Sequence, residues 1–171
     1  MKYHKVFIGI GSNVGDRLKN INKAIELVNE NQDCKVVKTS EVYESKAFGV
    51  KDQNDFLNSV ICIDTNLEPV NLLEFLKNIE SKIGRTKTEK WGPREIDLDI
   101  LLFDNLVHSK NGLTIPHKGI PERDFVIVPL IEIEPEIVHP VLNKKVKELI
   151  AKADKNIIRE ISVETKKLSG Q

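Results

Sequence analysis

"KVVKTSEVYES", residues 35–45, and "FLNSVICIDTN", residues 56–66, decide the fold. Both read as strands, and no segment of helical period separates them. Strands joined without a crossover helix cannot lie side by side in parallel, so an antiparallel pair is expected. Ahead of them another strand, "KVFIGIG" (5–11), leads into "GDRLKNINKAIELVNEN" (15–31), where Leu18, Ile21, Ile25 and Val28 recur at helical spacing. Behind them "EPVNLLEFLKNIESKIGR" (68–85) is a second helix: Pro69 suits its first turn, Leu72, Leu76, Ile79 and Ile83 form its apolar stripe, and Gly84 ends it. "WGPREIDLDILL" (91–102) supplies a fourth strand. The order β-α-β-β-α-β predicts an α+β, ferredoxin-like sandwich with a mainly antiparallel sheet, helices packed on it and C-terminal additions. It argues against a doubly wound sheet, which places a helix between each pair of strands.

Asp104 and Asn105 turn the chain, and "LVH" (106–108) is expected to pair back as a hairpin. A loop with Pro116 and Pro121 leads to a short helix from Arg123, which Pro129 shortens or kinks. "NKKVKELIAKA" (143–153) reads as a last amphipathic helix, and the tail from about 156 starts strand-like and ends frayed. With 171 residues the chain suits one domain over 1–171. Lys plus Arg equals Asp plus Glu at 26 each, so there is no electrostatic footprint for nucleic acid or an anionic membrane. No apolar run approaches the roughly 20 residues of a membrane span. Cys62 sits in an apolar strand, no Cys/His spacing suggests zinc, and "MKYHKVFIGIGSN" lacks the features of a signal peptide. A cytoplasmic, reduced protein is expected.

The chemistry concentrates around the fourth strand. Alternation from Glu95 puts Ile96, Leu98, Ile100 and Leu102 on one face and Asp97, Asp99, Leu101 and Phe103 on the other. Asp97 and Asp99 then project together, roughly 7 Å apart. Neighbouring carboxylates repel unless a cation lies between them, so the pair asks for a metal. Immediately upstream stand Arg85, Lys87, Lys90 and Arg94 around Trp91. A solvated charged loop is the plain reading of such a cluster. Beside an acidic metal site it is also what a polyphosphate requires, with metals neutralising some oxygens and arginines binding the rest.

Gly9, Gly11 and Gly15 are spaced G-x-G-x-x-x-G, one residue longer than the dinucleotide fingerprint, so they either cradle a nucleotide or shape a tight strand-to-helix turn. No P-loop and no kinase H-R-D or D-F-G set is present. Phe56 and Asn58, two apart on a strand, share a face. They suit a flat heterocycle, stacked and hydrogen-bonded, or equally a core aromatic beside an edge amide. Thr114 and His117 in "TIPHKG", and Arg123 in "ERDF", are polar loop residues, and Phe125 is a ligand contact or a core residue of its helix. A metal-dependent nucleotidyl transferase would also use paired aspartates, but zero net charge disfavours its nucleic-acid channel; the intact charged cluster disfavours a vestigial binding module.

"GSN" (11–13), "DQNDFLN" (52–58), "WGPREIDLDILLF" (91–103), "LTIPH" (113–117) and "RDF…PLIEIEP" (123–135), in this order, resemble the 6-hydroxymethyl-7,8-dihydropterin pyrophosphokinases of folate biosynthesis. The resemblance covers roughly residues 3–143 and leaves the tail outside. It implies the ferredoxin-like fold and transfer of the pyrophosphoryl group of ATP to the pterin hydroxymethyl oxygen, giving AMP. It implies two magnesium ions on Asp97 and Asp99, and Phe56 and Phe125 on either side of the pterin. Asn58 and the segment Ser45, Ala47 and Phe48 would read the pterin's polar edge. Lys77, Glu80, Trp91, Ile100, Thr114, His117 and Arg123 would contact ATP, with Arg85, Lys87 and Arg94 on its phosphates; Arg85, Arg94 and the two aspartates form the implied catalytic set. The partners implied are these two small substrates alone, bound by a monomer.

Overall fold

The computed structural model describes residues 3–47, 53–84 and 95–161. The first strand, β1 (His4–Ser12), runs into a turn at Gly15, whose positive φ of 73° suits glycine. The Asp16 side chain caps helix α1 (Arg17–Glu30) by accepting the Lys19 N–H. Ile21, Ala24, Ile25 and Val28 form its buried stripe. The chain then forms β2 (Cys34–Thr39), β3 (Val42–Ser45), β4 (Phe56–Thr65) and helix α2 (Pro69–Ile83). Gly84, at a left-handed φ of 101°, closes α2 by donating its N–H to the carbonyls of Glu80 and Ser81. Burial of Leu72, Leu76 and Ile79 is worth about 1.5–3 kcal/mol each and outweighs any surface ion pair in holding α2 on the sheet.

The remaining elements are β5 (Asp97–Phe103), the two-stranded ribbon β6 (His108–Lys110) and β7 (Leu113–Ile115), helix α3 (Asp124–Ile133) and β8 (Ile157–Ile161). The main sheet runs β5-β1-β4-β3-β8, with β2 also on β4, and every pairing is antiparallel. Each strand–helix–strand unit therefore has a strand of the other unit inserted between its own two. Helices α1 and α2 cover one face through Val6, Ile8, Ile10, Leu57, Ile61 and Ile63. Against the other face, α3 packs Ile127 and Leu130 on Phe7, Val60, Cys62 and Leu101.

Five expectations need correction. The expected second strand is two, β2 and β3, both on β4 and broken at Ser40. There the Ser40 hydroxyl, rather than a backbone carbonyl, accepts the Val60 N–H at 2.9 Å. "LVH" does not fold back on β5, because His108 pairs forward with Ile115. The last amphipathic helix is a 3-10 segment, Val146–Lys152, with Val146 as its one fully buried residue. The alternation along β5 fails at a bulge: Phe7 pairs with Leu102 but Ile8 with Ile100. The extra residue shifts the phase, so Leu102 joins the α3 side and Phe103 the α1–α2 side. Finally, Gly9 and Gly11 lie inside β1, and only Gly15 is in the turn. The tail does begin as a strand: β8 extends the sheet beyond β3, while its last residues, 162–171, lie outside the described residues.

Candidate active site

A cavity opens on the α3 side of the sheet. Its walls come from β1, β3, β4, β5, the segment after β7 and the start of α3. Because Leu98 and Ile100 point into the helix-covered core, Asp97 and Asp99 point the other way and line this cavity, each half-buried. Glu80, buried on α2, accepts the Leu98 N–H at 2.8 Å and fixes the strand midway between the two aspartates. The Asn20 amide adds a second hold, donating to the Glu95 carbonyl at 3.1 Å.

His117 stands opposite, its Nε2 3.9 Å from Asp99 Oδ2. Its Nδ1 accepts the Gly119 N–H at 2.9 Å, which leaves the ring proton on Nε2. Burial, reinforced by the Arg123 charge and opposed by Asp97, pulls the imidazole down to about 4. At neutral pH the contact with Asp99 is thus between a neutral ring and a carboxylate, not an ion pair. Arg123 lies against the segment after His117: a Cβ at Gly119 would lie 2.7 Å from the guanidinium carbon, so a side chain there would push the guanidinium aside. Burial lowers the Arg123 pKa, against the pull of Asp99 and Asp97, yet a guanidinium stays charged. Its charge also lies 5.9 Å from the Phe125 ring centroid.

Phe56, Phe125, Asn58 and Ser45 line the same cavity. Asn58 is buried and donates from Nδ2 to Ser45 Oγ at 2.7 Å. The chain leading to Phe56 is strapped by Asn13, whose amide donates to Gln53 Oε1 and to the Asn54 carbonyl.

Eight of the expected residues therefore share one cavity: Ser45, Phe56, Asn58, Asp97, Asp99, His117, Arg123 and Phe125. Ala47, Lys77, Glu80, Ile100 and Thr114 do not line it; Ile100 is core on the opposite face and Lys77 is exposed on α2. Phe48, Arg85, Lys87, Trp91 and Arg94 lie outside the described residues. Ile10, Ser59, Val60, Leu101 and Val126 also line it and were not singled out from the sequence, while Gly9 and Gly11, expected at a strand-to-helix turn, line it from within β1. Gly9 and Gly11 were legible as one face of an alternating strand, but only pairing register shows what they face.

The donor set suits magnesium. Among the described residues no group of three His, Cys, Asp or Glu side chains forms a closed metal cage. Magnesium is ordinarily held by one or two carboxylates, with waters and substrate phosphates completing its shell, and Asp97 and Asp99 offer that.

Comparison with known proteins identifies the family. A protein of Aquifex aeolicus named 2-amino-4-hydroxy-6-hydroxymethyldihydropteridine pyrophosphokinase is 48% identical over 143 residues, covering 84% of this chain and 88% of that protein. Folic acid synthesis protein fol1 of Schizosaccharomyces pombe is 39% identical over 153 residues, covering 90% of this chain but 21% of its own length. The crystal structure of wild-type Plasmodium falciparum HPPK-DHPS shares the fold with a TM-score of 0.67 at 17% identity, over 88% of this chain and 45% of that one. The chain thus spans less than half of these two longer proteins. Residues 7–135 match the family described as 7,8-dihydro-6-hydroxymethylpterin-pyrophosphokinase (HPPK), and the chain belongs to that family.

Proposed function

We propose that the protein transfers the pyrophosphoryl group of ATP to the hydroxymethyl oxygen of 6-hydroxymethyl-7,8-dihydropterin, as a monomeric cytoplasmic enzyme of folate biosynthesis. The observation that carries this reading is one cavity lined by an amide, two aromatic rings and a carboxylate pair, with Asn58 and Asp97 two strands apart. Phe56 and Phe125 stack on the pterin, and Asn58, with Ser45, Ala47 and Phe48, reads its polar edge. The hydroxymethyl oxygen bonds to the β-phosphorus as the bond from that phosphorus to the oxygen of the α-phosphate breaks; AMP leaves and the hydroxyl proton passes to water.

Asp97 and Asp99 would hold two magnesium ions, which when bound neutralise phosphate charge and stabilise the attacking and leaving oxygens. Neutral His117 donates its Nε2–H without adding charge beside the aspartates, and Arg123 supplies a fixed cation. Arg85, Lys87 and Arg94 bind phosphates, and Lys77, Glu80, Trp91, Ile100 and Thr114 complete the nucleotide site that the resemblance implies. The chain's work is positioning and charge compensation, with no covalent intermediate. Incubation with ATP, magnesium and the hydroxymethyl-dihydropterin should yield AMP and pterin pyrophosphate in equal amounts. ADP as the nucleotide product, or no turnover, would overturn the assignment.

A further inference from the structure

The cavity-facing side of β1 reads Phe7, Gly9, Gly11. Glycine inside a strand is destabilising relative to alanine, so each one needs a reason. Conformation is not the reason, since the described glycines at positive φ are Gly15, Gly84 and Gly112. Gly9 is explained by packing: a Cβ there would meet the buried Leu101 side chain at 3.3 Å. Gly11 is different. Its nearest neighbours would be Asn58 Oδ1 at 3.2 Å and Phe56 Cδ1 at 3.5 Å, two groups that themselves line the cavity.

Register supplies the second observation. Gly11 pairs with Asp97 of β5 on one side and with Asn58 of β4 on the other. One row across the sheet is therefore carboxylate, bare backbone, amide. Its ends stand about 9–10 Å apart, two strand spacings.

We infer that Gly11 is a specificity-determining position: its missing side chain leaves a slot through which a flat heterocycle held at Asn58 passes a one-carbon arm over β1 to Asp97. This deepens the functional reading above and rests on it. The ligand class that fits is a fused planar ring system with a short unbranched arm. A methyl group at position 11 would fill the slot and press on an amide that Ser45 holds in place.

The test compares the wild-type protein with Gly11→Ala and Gly9→Ala, titrating each with hydroxymethyl-pterin and separately with magnesium ATP. Gly11→Ala should bind pterin at least tenfold more weakly and nucleotide within twofold of wild type. Gly9→Ala should instead lower the melting temperature through Leu101 and affect pterin less. A measurement without mutation guards against a variant that fails to fold: in wild-type protein carrying labelled glycine, saturating pterin should move the Gly11 Hα resonances and leave those of Gly112 in place. Pterin affinity in Gly11→Ala within twofold of wild type, an equal loss for ATP, or an unmoved Gly11 signal at saturation overturns the inference. If the wild-type protein binds no pterin at all, the functional reading falls and this inference with it.

Discussion

Asp124→Ala is the perturbation whose size the structure best defines. Asp124 lies between Arg123 and Phe125, both of which line the cavity, yet its own carboxylate turns away from it. One oxygen, Oδ2, accepts the N–H groups of Asn156 and Ile157, each at 3.0 Å, and so ties β8 to the start of α3. Beside it Asn156 returns a bond, its carbonyl accepting the Lys46 N–H at 2.9 Å at the cavity's rim. Two hydrogen bonds to a charged acceptor contribute about 1.5–3 kcal/mol each when fully buried. Asn156 and Ile157 are half-buried, so water recovers part of that loss. The other oxygen, Oδ1, is buried without a hydrogen-bond partner, and deleting it returns about 1 kcal/mol. The net loss should be about 2–3 kcal/mol, or about 4–12 °C in melting temperature for a protein of this size. Asp124→Asn keeps an acceptor for both N–H groups and should recover about half. Urea melts of the three proteins give the answer, with pterin KM measured alongside. A loss below about 0.5 kcal/mol in the alanine variant, the level of a neutral surface change, would refute the latch.

Asp97→Asn and Asp99→Asn should each leave the melting temperature level or higher, since repulsion between carboxylates is relieved, while turnover falls by orders of magnitude. The double variant should be little worse, because both serve one cluster; near-normal turnover of either single variant at saturating magnesium would end the two-metal reading. Phe56→Ala and Phe125→Ala should each weaken pterin binding by about 1–3 kcal/mol in calorimetry and change ATP affinity far less. His4 bonds Asp104 at 2.7 Å and Glu68 at 2.9 Å, and the Asp104 bond chiefly raises its pKa above 6.5, against some desolvation. A raised histidine pKa stabilises fully below the unfolded value and is lost as pH climbs through the folded one. Melting temperatures from pH 5 to 9 should therefore fall more across neutrality in the wild-type protein than in His4→Gln, and parallel profiles would exclude that contribution.

Legibility in the sequence followed locality. Helical stripes in α1 and α2, and the shared face of Phe56 and Asn58, depend on period alone and emerged as read. The same holds for Asp97 and Asp99, which precede the bulge. What failed depended on distant partners. The bulge at Leu101 arises where β5 meets β1, so its phase shift is invisible in β5 alone. The division of β2 from β3 rests on the Ser40 hydroxyl meeting a backbone N–H twenty residues away. The 3-10 form of Val146–Lys152 follows from its having a single buried anchor, which amphipathic spacing overstated. Lys46 lines the cavity wall with its backbone N–H held by the Asn156 carbonyl, just ahead of β8, a contact from a segment with no recognisable motif.

Among the described residues β5 ends the sheet, and an end strand offers its outward N–H and C=O groups as a template on which another chain can add. Here two of those groups are already taken: Leu98 N–H by the Glu80 carboxylate, and Leu101 C=O by the His117 N–H. The residues that steady the aspartates thus also keep this margin from acting as a seed for self-assembly. Glu80→Ala should turn a soluble preparation into one that scatters light on mild heating, well below the temperature at which the fold itself melts.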